Sequence, residues 1–133
     1  MSSGRLAISS SVPQLDAYLD EGYETVKGMS SRFAAAISGH LLAFQSREGI
    51  AGDVAEIGAF KGRFFIAMMK ALAAGERGLA IDVFTWPSEQ TLTEFVANCD
   101  AHGLDRDTYT VWKTDTRDMP PEAMAEQLAQ RPV

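Results

Sequence analysis

The second half of the chain alternates short apolar runs with helical patterns, and this alternation restricts the fold more than any other feature. Apolar runs typical of buried strands lie at 54–58, 79–84 and 108–113, and helical patterns lie at 62–74, 91–103 and from 120 onward. Strands that are joined through helices run parallel, with right-handed crossovers. The sequence therefore predicts an α/β fold with a partial doubly wound, Rossmann-like parallel sheet of about three strands.

Two helical patterns precede this sheet. The first begins at Pro13, and the second runs from about 30 to 48. The second carries an amphipathic stripe of four large apolar residues at three- and four-residue steps: Phe33, Ile37, Leu41 and Phe44. His40 shares that face and is interpreted as a packed histidine. We divide the chain into an N-terminal helical segment, a lid or cap, at 1–50 and the sheet-forming part at 51–133.

Composition excludes several classes of protein. The net charge of −6 argues against a nucleic-acid-binding surface, which would show as a basic stripe. One cysteine, Cys99, excludes a disulfide framework and a cysteine-rich zinc site, so no metal is predicted. No run approaches the ~20 apolar residues of a membrane span, and the first residues do not begin a signal peptide. The chain is expected to be cytoplasmic.

Candidate ligand-binding residues follow each of the three predicted strands. The first strand runs through a glycine-punctuated turn, Glu56-Ile57-Gly58-Ala59-Phe60-Lys61-Gly62, into a helix whose N-terminal amides suit a carboxylate. Gly58 permits a tight turn, and Gly62 a close approach of helix and strand. Asp82 ends the second strand about 24 residues after Gly58, where a ribose-binding acid belongs. Asp115 and Thr116 follow the third, within reach of an adenine edge.

These motifs, together with Leu79-Ala80-Ile81-Asp82-Val83-Phe84, resemble class I S-adenosylmethionine-dependent methyltransferases, and most closely the branch of macrocin-type O-methyltransferases. The resemblance covers roughly 51–118. It implies S-adenosylmethionine as the cofactor and a small-molecule acceptor methylated at oxygen. The cofactor-binding residues that it implies are Glu56, Gly58, Ala59, Phe60, Gly62, Asp82, Val83, Asp115 and Thr116. The run Lys27-Gly28-Met29 corresponds to a lid over the cofactor.

Alternatives remain at several of these positions. A nicotinamide dinucleotide shares the acid after the second strand, but its turn needs glycine where this chain has Phe60. Asp115 is equally well explained as an Asx-turn residue. Lys61 and Arg63 are interpreted as solvated, although either could attract the cofactor's carboxylate. The run Thr91 to Glu94 fits a capping box.

The resemblance also implies that much of the parent domain is missing. Class I domains have seven strands, whereas this chain supplies three, and 131–133 looks like the start of a fourth. No catalytic residue, general base or metal-binding run is recognised, so the chain is expected to be truncated before strand four. Strand one would then lie at an open sheet edge, through which self-association is expected. The alternative is a non-catalytic Rossmann-like remnant or an NAD(P)-binding fragment.

Overall fold

A three-stranded parallel sheet forms the centre of the molecule, in a computed structural model that describes residues 9–131. The strands β1 (Val54–Ile57), β2 (Gly78–Asp82) and β3 (Tyr109–Lys113) lie in the order β1-β2-β3. Val54 pairs with Gly78, and Gly78 pairs with Tyr109. The predicted α/β fold and parallel sheet are confirmed. Pro132 and Val133, in the predicted start of a further strand, lie outside the described residues.

Five helices surround the sheet, and β1 lies at one edge of the sheet within the described residues. The helices are α1 (Pro13–Glu21), α2 (Arg32–Arg47), α3 (Arg63–Ala71), α4 (Thr91–Ala101) and α5 (Pro121–Gln130). Proline in the first turn of α1 and α5 suits both helix starts. After α5, the Arg131 guanidinium binds Asp53, with Nε 2.5 Å from Oδ2. This ion pair ties the end of α5 to the residue before β1.

An aromatic cluster joins α3 and α4 to one face of the sheet. The Phe95 ring of α4 lies 5.4 Å from Phe65 of α3, 5.3 Å from Phe84 and 6.0 Å from Tyr109 of β3, between ring centroids. Phe65, Phe84 and Phe95 are fully buried. Burying such side chains stabilises the fold by roughly 1.5–3 kcal/mol each. The cluster fixes the positions of the two helices that follow β1 and β2.

Helix α2 packs through small residues, contrary to the expectation from its apolar stripe. Its buried positions are Ala35, Ala36 and Gly39. A Cβ added to Gly39 would lie 2.0 Å from Leu15 Cδ2, so glycine is needed for α1 and α2 to approach this closely. The large apolar stripe is opposite and exposed. His40 is also exposed, and its Nδ1 lies 2.9 Å from Ser11 Oγ.

The predicted capping box at the start of α4 is wrong. Thr91 is fully buried, and its hydroxyl donates to the carbonyls of Trp86 and Ser88, at 2.9 and 2.8 Å. Glu94 instead forms an ion pair with Lys61 at 2.6 Å. Both side chains of the presumed box are therefore engaged outside the helix end, and α4 begins without a side-chain cap.

Candidate functional site

A cleft opens where β1 ends and α3 begins, on the edge of the sheet formed by the carboxyl ends of the strands. Its volume is about 330 Å³, at the lower end of the range for small-molecule sites. It is lined by Lys27, Gly28, Met29, Ser30, Glu56, Gly58, Ala59, Phe60, Arg63 and Phe64. Open parallel sheets bind their ligands at this edge. The cleft therefore brings together the glycine-punctuated turn and the segment 27–30, which are far apart in sequence.

Two glycines shape the turn, for different reasons. Gly58 has a φ of +86°, and a Cβ added there would meet nothing within 4 Å. The open side of Gly58 leaves room for a ligand against the backbone. Gly62 has a φ of +95°, and its added Cβ would lie 3.2 Å from the Phe95 ring. The close neighbour of Gly62 is therefore α4, whereas the sequence indicated an approach of helix to strand.

Asp82 holds the turn against the end of β2. Its Oδ2 accepts a hydrogen bond from the Phe60 amide, and its Oδ1 accepts one from the Phe84 amide, each at 2.8 Å. Phe60 and Phe84 both have left-handed backbones, with φ of +52° and +55°. Such a conformation costs a non-glycine residue about 1–3 kcal/mol. The Asp82 carboxylate thus stabilises two strained residues at once, while each oxygen keeps a lone pair for a further donor.

Glu56 places an unsatisfied carboxylate oxygen at this site. Its Oε1 is buried and has no hydrogen-bond partner among the residues that the structure describes. Burial, followed by the negative charge of Asp82, raises the pKa of Glu56 from 4.5 to about 7. Carboxyl groups with such a pKa are concentrated at functional sites. A cationic ligand in the cleft would relieve both the missing partner and the repulsion from Asp82.

Arg63 connects α3 to the segment 27–30. Its Nε donates to the Val26 carbonyl at 2.6 Å, and its guanidinium lies 5.0 Å from the centre of the Tyr23 ring. A Cβ on Gly28 would lie 2.9 Å from Arg63 Cβ, so the segment passes close to the helix. The interpretation of Arg63 as solvated is therefore wrong. Nothing in its sequence neighbourhood indicates these contacts, because they come from residues about 35 positions earlier.

Lys61 is not solvated either. It is nine-tenths buried; its ammonium lies 2.6 Å from Glu94 Oε2 and 5.4 Å from the centre of the Phe60 ring. The Asn98 amide donates to the Lys61 carbonyl at 2.8 Å. Helix α4 therefore holds the turn at Lys61, next to the Phe60 amide that Asp82 binds. The turn is thus fixed by contacts to Asp82 and to α4, which is the preorganisation that a binding site requires.

Of the remaining predicted site residues, Asp115 and Thr116 belong to a short helical turn after β3. Asp115 Oδ1 accepts from the Arg117 amide at 2.9 Å, which is an Asx-turn, and the Arg117 side chain binds both carboxylate oxygens. These bonds, the side-chain ones first, lower the pKa of Asp115 to about 2. Val83 is 37% exposed beside Asp82. These three residues and Gly62 and Asp82 do not line the 330 Å³ cleft, whereas Glu56, Gly58, Ala59 and Phe60 do.

The Phe60 side chain packs on an exposed tryptophan. The Phe60 and Trp86 ring centroids are 5.5 Å apart, and Trp86 is 64% exposed. The pair forms an aromatic surface next to the turn, suited to a flat ligand group.

We also searched the rest of the described chain for other clefts, metal sites and membrane-spanning helices. A second cleft of about 370 Å³ lies where α3 and α4 end, near Tyr18, Lys70 and His102, away from the ligand-binding edge of the sheet. Within residues 9–131, no cluster of three or more histidine, cysteine or acidic side chains could hold a metal ion. No helix in the same range is long and apolar enough to cross a membrane.

Comparison with solved structures shows which fold this chain shares. The chain is similar to the crystal structure of a protein named "putative O-methyltransferase" from Klebsiella pneumoniae, with a TM-score of 0.50 and 23% sequence identity. The fold is methyltransferase-like. The predicted resemblance is thus confirmed at the level of the fold. The match covers 87% of this chain and 47% of that protein, so the chain spans about half of its length. No protein-family model and no curated protein matches the sequence.

Proposed function

We propose that this methyltransferase-like chain binds S-adenosylmethionine and that its fold serves methyl transfer to an oxygen atom of a small-molecule acceptor. The observation that carries the proposal is Glu56, whose buried Oε1 lacks a partner at the carboxyl end of β1. A buried charge without a partner is costly, and it persists where a ligand supplies the partner. The ligand should therefore present a positively charged donor at this point.

The residues of the cleft fit the parts of this cofactor. The methionine ammonium would bind Glu56, the carboxylate that lines the cleft, and the same negative charge would attract the positive sulfonium. The methionine carboxylate would lie at the N-terminus of α3, beside Arg63, where helix amides and a guanidinium favour an anion. Gly58 leaves the space for the chain of the cofactor to pass.

The nucleoside would extend towards β2 and β3. Asp82 keeps free lone pairs that could accept the ribose hydroxyls while it continues to hold the turn. Val83, Asp115 and Thr116 lie beyond it along the same edge, because the Thr114 amide donates to the Asp82 carbonyl at 2.9 Å. Their roles at the adenine, like the cytoplasmic location of the protein, remain predictions.

The bound cofactor supplies a methyl group made electrophilic by the neighbouring sulfonium. The residues of this chain bind and orient the cofactor: Glu56 at the ammonium, α3 at the carboxylate, and Asp82 both at the ribose and behind the turn. Positioning of this kind is a large part of the acceleration that such a reaction requires.

Calorimetric titration with S-adenosylhomocysteine, the demethylated product, tests the proposal. We expect saturable binding by the 133-residue chain at pH 8 and at least tenfold weaker binding by Glu56→Gln, since a hydrogen bond to a charged group contributes ~1.5–3 kcal/mol. Glu126→Gln, an exposed carboxylate on α5, is the matched control and should bind like the wild type. A folded wild-type chain that does not bind would favour the non-catalytic remnant. Equal binding by Glu56→Gln would contradict the role of Glu56.

A further inference from the structure

Helix α2 carries an exposed apolar stripe that the cofactor site does not explain. Phe33, Ile37, Leu41 and Phe44 are 63%, 47%, 55% and 50% exposed. Soluble monomers seldom leave four large apolar side chains in one row on a helix. The stripe lies opposite Ala35, Ala36 and Gly39, which pack on the core, so it faces away from the described part of the chain.

The stripe is nearly symmetric about the middle of the helix. Ile37 and Leu41 lie two residues on either side of position 39, and Phe33 and Phe44 lie five to six residues on either side. Two further exposed apolar residues lie just outside the helix ends, Met29 and Ile50, at 88% and 56%. A two-fold axis across position 39 would therefore place Phe33 against Phe44, and Ile37 against Leu41, of an antiparallel second helix. Self-complementarity of this kind is what an isologous interface requires.

We propose that α2 is a dimerisation surface, and that a second copy of this chain covers the stripe by packing its own α2 antiparallel to the first. We infer a second copy because the apolar residues of α2 have nearly the same spacing when the helix is read in the opposite direction. A different chain would not require that symmetry.

The exposed area fits a weak dimer. Phe33 and Phe44 together leave roughly 200 Å² in solvent, since an aromatic side chain presents about 150–250 Å². Together with Ile37 and Leu41 and with the flanking Met29 and Ile50, each copy contributes roughly 500 Å². The total of about 1,000 Å² lies at the lower limit of specific interfaces, so we expect association in the micromolar range.

The charges around the stripe permit this pairing. The helical positions that flank the stripe are Ala34, Ser38, His40, Gln45 and Arg47. The carboxylate of Glu48 is in line with the stripe, four residues after Phe44 at the helix end, and an antiparallel pair places the two Glu48 side chains at opposite ends of the interface. Arg32, at the helix start, already pairs with Asp20 at 3.1 Å. The antiparallel arrangement separates the Arg47 side chains of the two copies to opposite ends of the interface. Met29, which lies just before α2, also lines the cofactor cleft, so the interface would reach the edge of that site.

Sedimentation equilibrium of the 133-residue chain between about 1 and 200 µM tests the proposal in the range expected for this area. Leu41→Glu should lower the association constant at least tenfold, because it buries a charge opposite Ile37. Ile37→Lys combined with Leu41→Glu should restore association, because the two charges face each other across the two-fold axis. Leu128→Glu, on α5 and 38% exposed, is the control and should associate like the wild type. All these positions are exposed, and circular dichroism verifies that the variants fold.

Disulfide trapping tests the orientation of the helices. The cysteines of two Phe33→Cys chains would lie about 16 Å apart along an antiparallel pair, too far to bond. A mixture of Phe33→Cys and Phe44→Cys should therefore form mainly the mixed disulfide, while native Cys99 is fully buried. A chain that is monomeric throughout, undiminished association of Leu41→Glu, or efficient linkage of Phe33→Cys to itself would each overturn the proposal.

Discussion

We propose that the Asp82 carboxylate binds the ribose, and the structure shows that it also holds the turn. Both of its oxygens accept backbone amides, and both donors belong to left-handed phenylalanines, Phe60 and Phe84. The sequence indicated only the ribose role, because that role depends on position along the chain. The second role depends on the turn after β1 folding back onto β2, which no local pattern shows.

The first prediction separates these roles of Asp82. Asp82→Asn retains one acceptor and presents an NH₂ group to the other amide, so it should lower the free energy of unfolding by ~1.5–3 kcal/mol. Urea denaturation without cofactor measures this loss. Asp107→Asn, in an exposed turn, is the control and should leave stability unchanged. If Asp82→Asn is as stable as the wild type, the carboxylate does not stabilise the turn.

The second prediction concerns the pH dependence that Glu56 introduces. Its pKa of about 7 in the folded state exceeds the usual 4.5, so the folded state binds the proton more tightly. Stability should therefore fall as pH rises from 4.5 to 7 and stay low above that. Glu56→Gln removes the charge and should stabilise the cofactor-free chain at pH 8 by as much as ~3 kcal/mol.

Cofactor binding should change with pH in the opposite direction. The ammonium needs the ionised carboxylate, so the affinity for S-adenosylhomocysteine should increase from pH 6 to 8 in the wild type and change less in Glu56→Gln. Thermal unfolding and calorimetry across that range measure the two trends. If stability and affinity change with pH in the same direction, Glu56 does not face the cofactor.

At the scale of elements, we expect the turn from β1 to α3 to discriminate between cofactor classes. A pyrophosphate needs the backbone to approach closely, and Phe60 places a ring there that packs against Trp86. We therefore predict no competition by NAD for S-adenosylhomocysteine at micromolar concentrations. Competition titrations test this third prediction with ATP as the control for non-specific adenine binding. Competitive NAD binding in the micromolar range would contradict the role of Phe60.

The sequence predicted correctly those elements whose hydrophobic periodicity and whose bounding glycines indicate the same limits. The strands, their parallel order and the helices α3 and α4 follow from apolar runs separated by glycine. Long-range contacts account for the errors. Lys61 is buried because Glu94 lies opposite it, and Thr91 bonds to the preceding turn instead of capping α4. In α2, the large apolar face was expected to pack, but small residues allow the closer approach to α1 and α3.

The same reasoning applies to the site. The turn and Asp82 were identifiable because a strand followed by glycine marks a ligand-binding edge. The contribution of the segment 27–30 followed only from the family resemblance, and its attachment through Arg63 was not predicted. Arg63 carries no motif of its own, and its side-chain hydrogen bonds go to backbone carbonyls, which every residue possesses.

At the scale of the whole molecule, the described chain presents two different surfaces to other chains. One is the stripe on α2. The other is the edge of β1, where the amides of Val54 and Gly58 bond to the β2 side, so that those of Ala55 and Ile57 point away from the sheet. Ile57 is 67% exposed, and β1 contains no proline or lysine that would discourage pairing. The self-association through this edge that the sequence predicted remains a proposal.

The fourth prediction follows from the presence of two such surfaces. A two-fold interface through α2 closes at the dimer, but a second pairing through β1 would join dimers into larger assemblies. The wild-type chain should therefore form dimers first and larger species at higher concentration, whereas Ile57→Lys should stop at the dimer. Leu41→Glu should retain only edge pairing, and its Ala55 and Ile57 amides should be protected from hydrogen exchange as concentration rises. Rapid exchange of both amides at every concentration would show that the β1 edge stays free, and that α2 alone accounts for association.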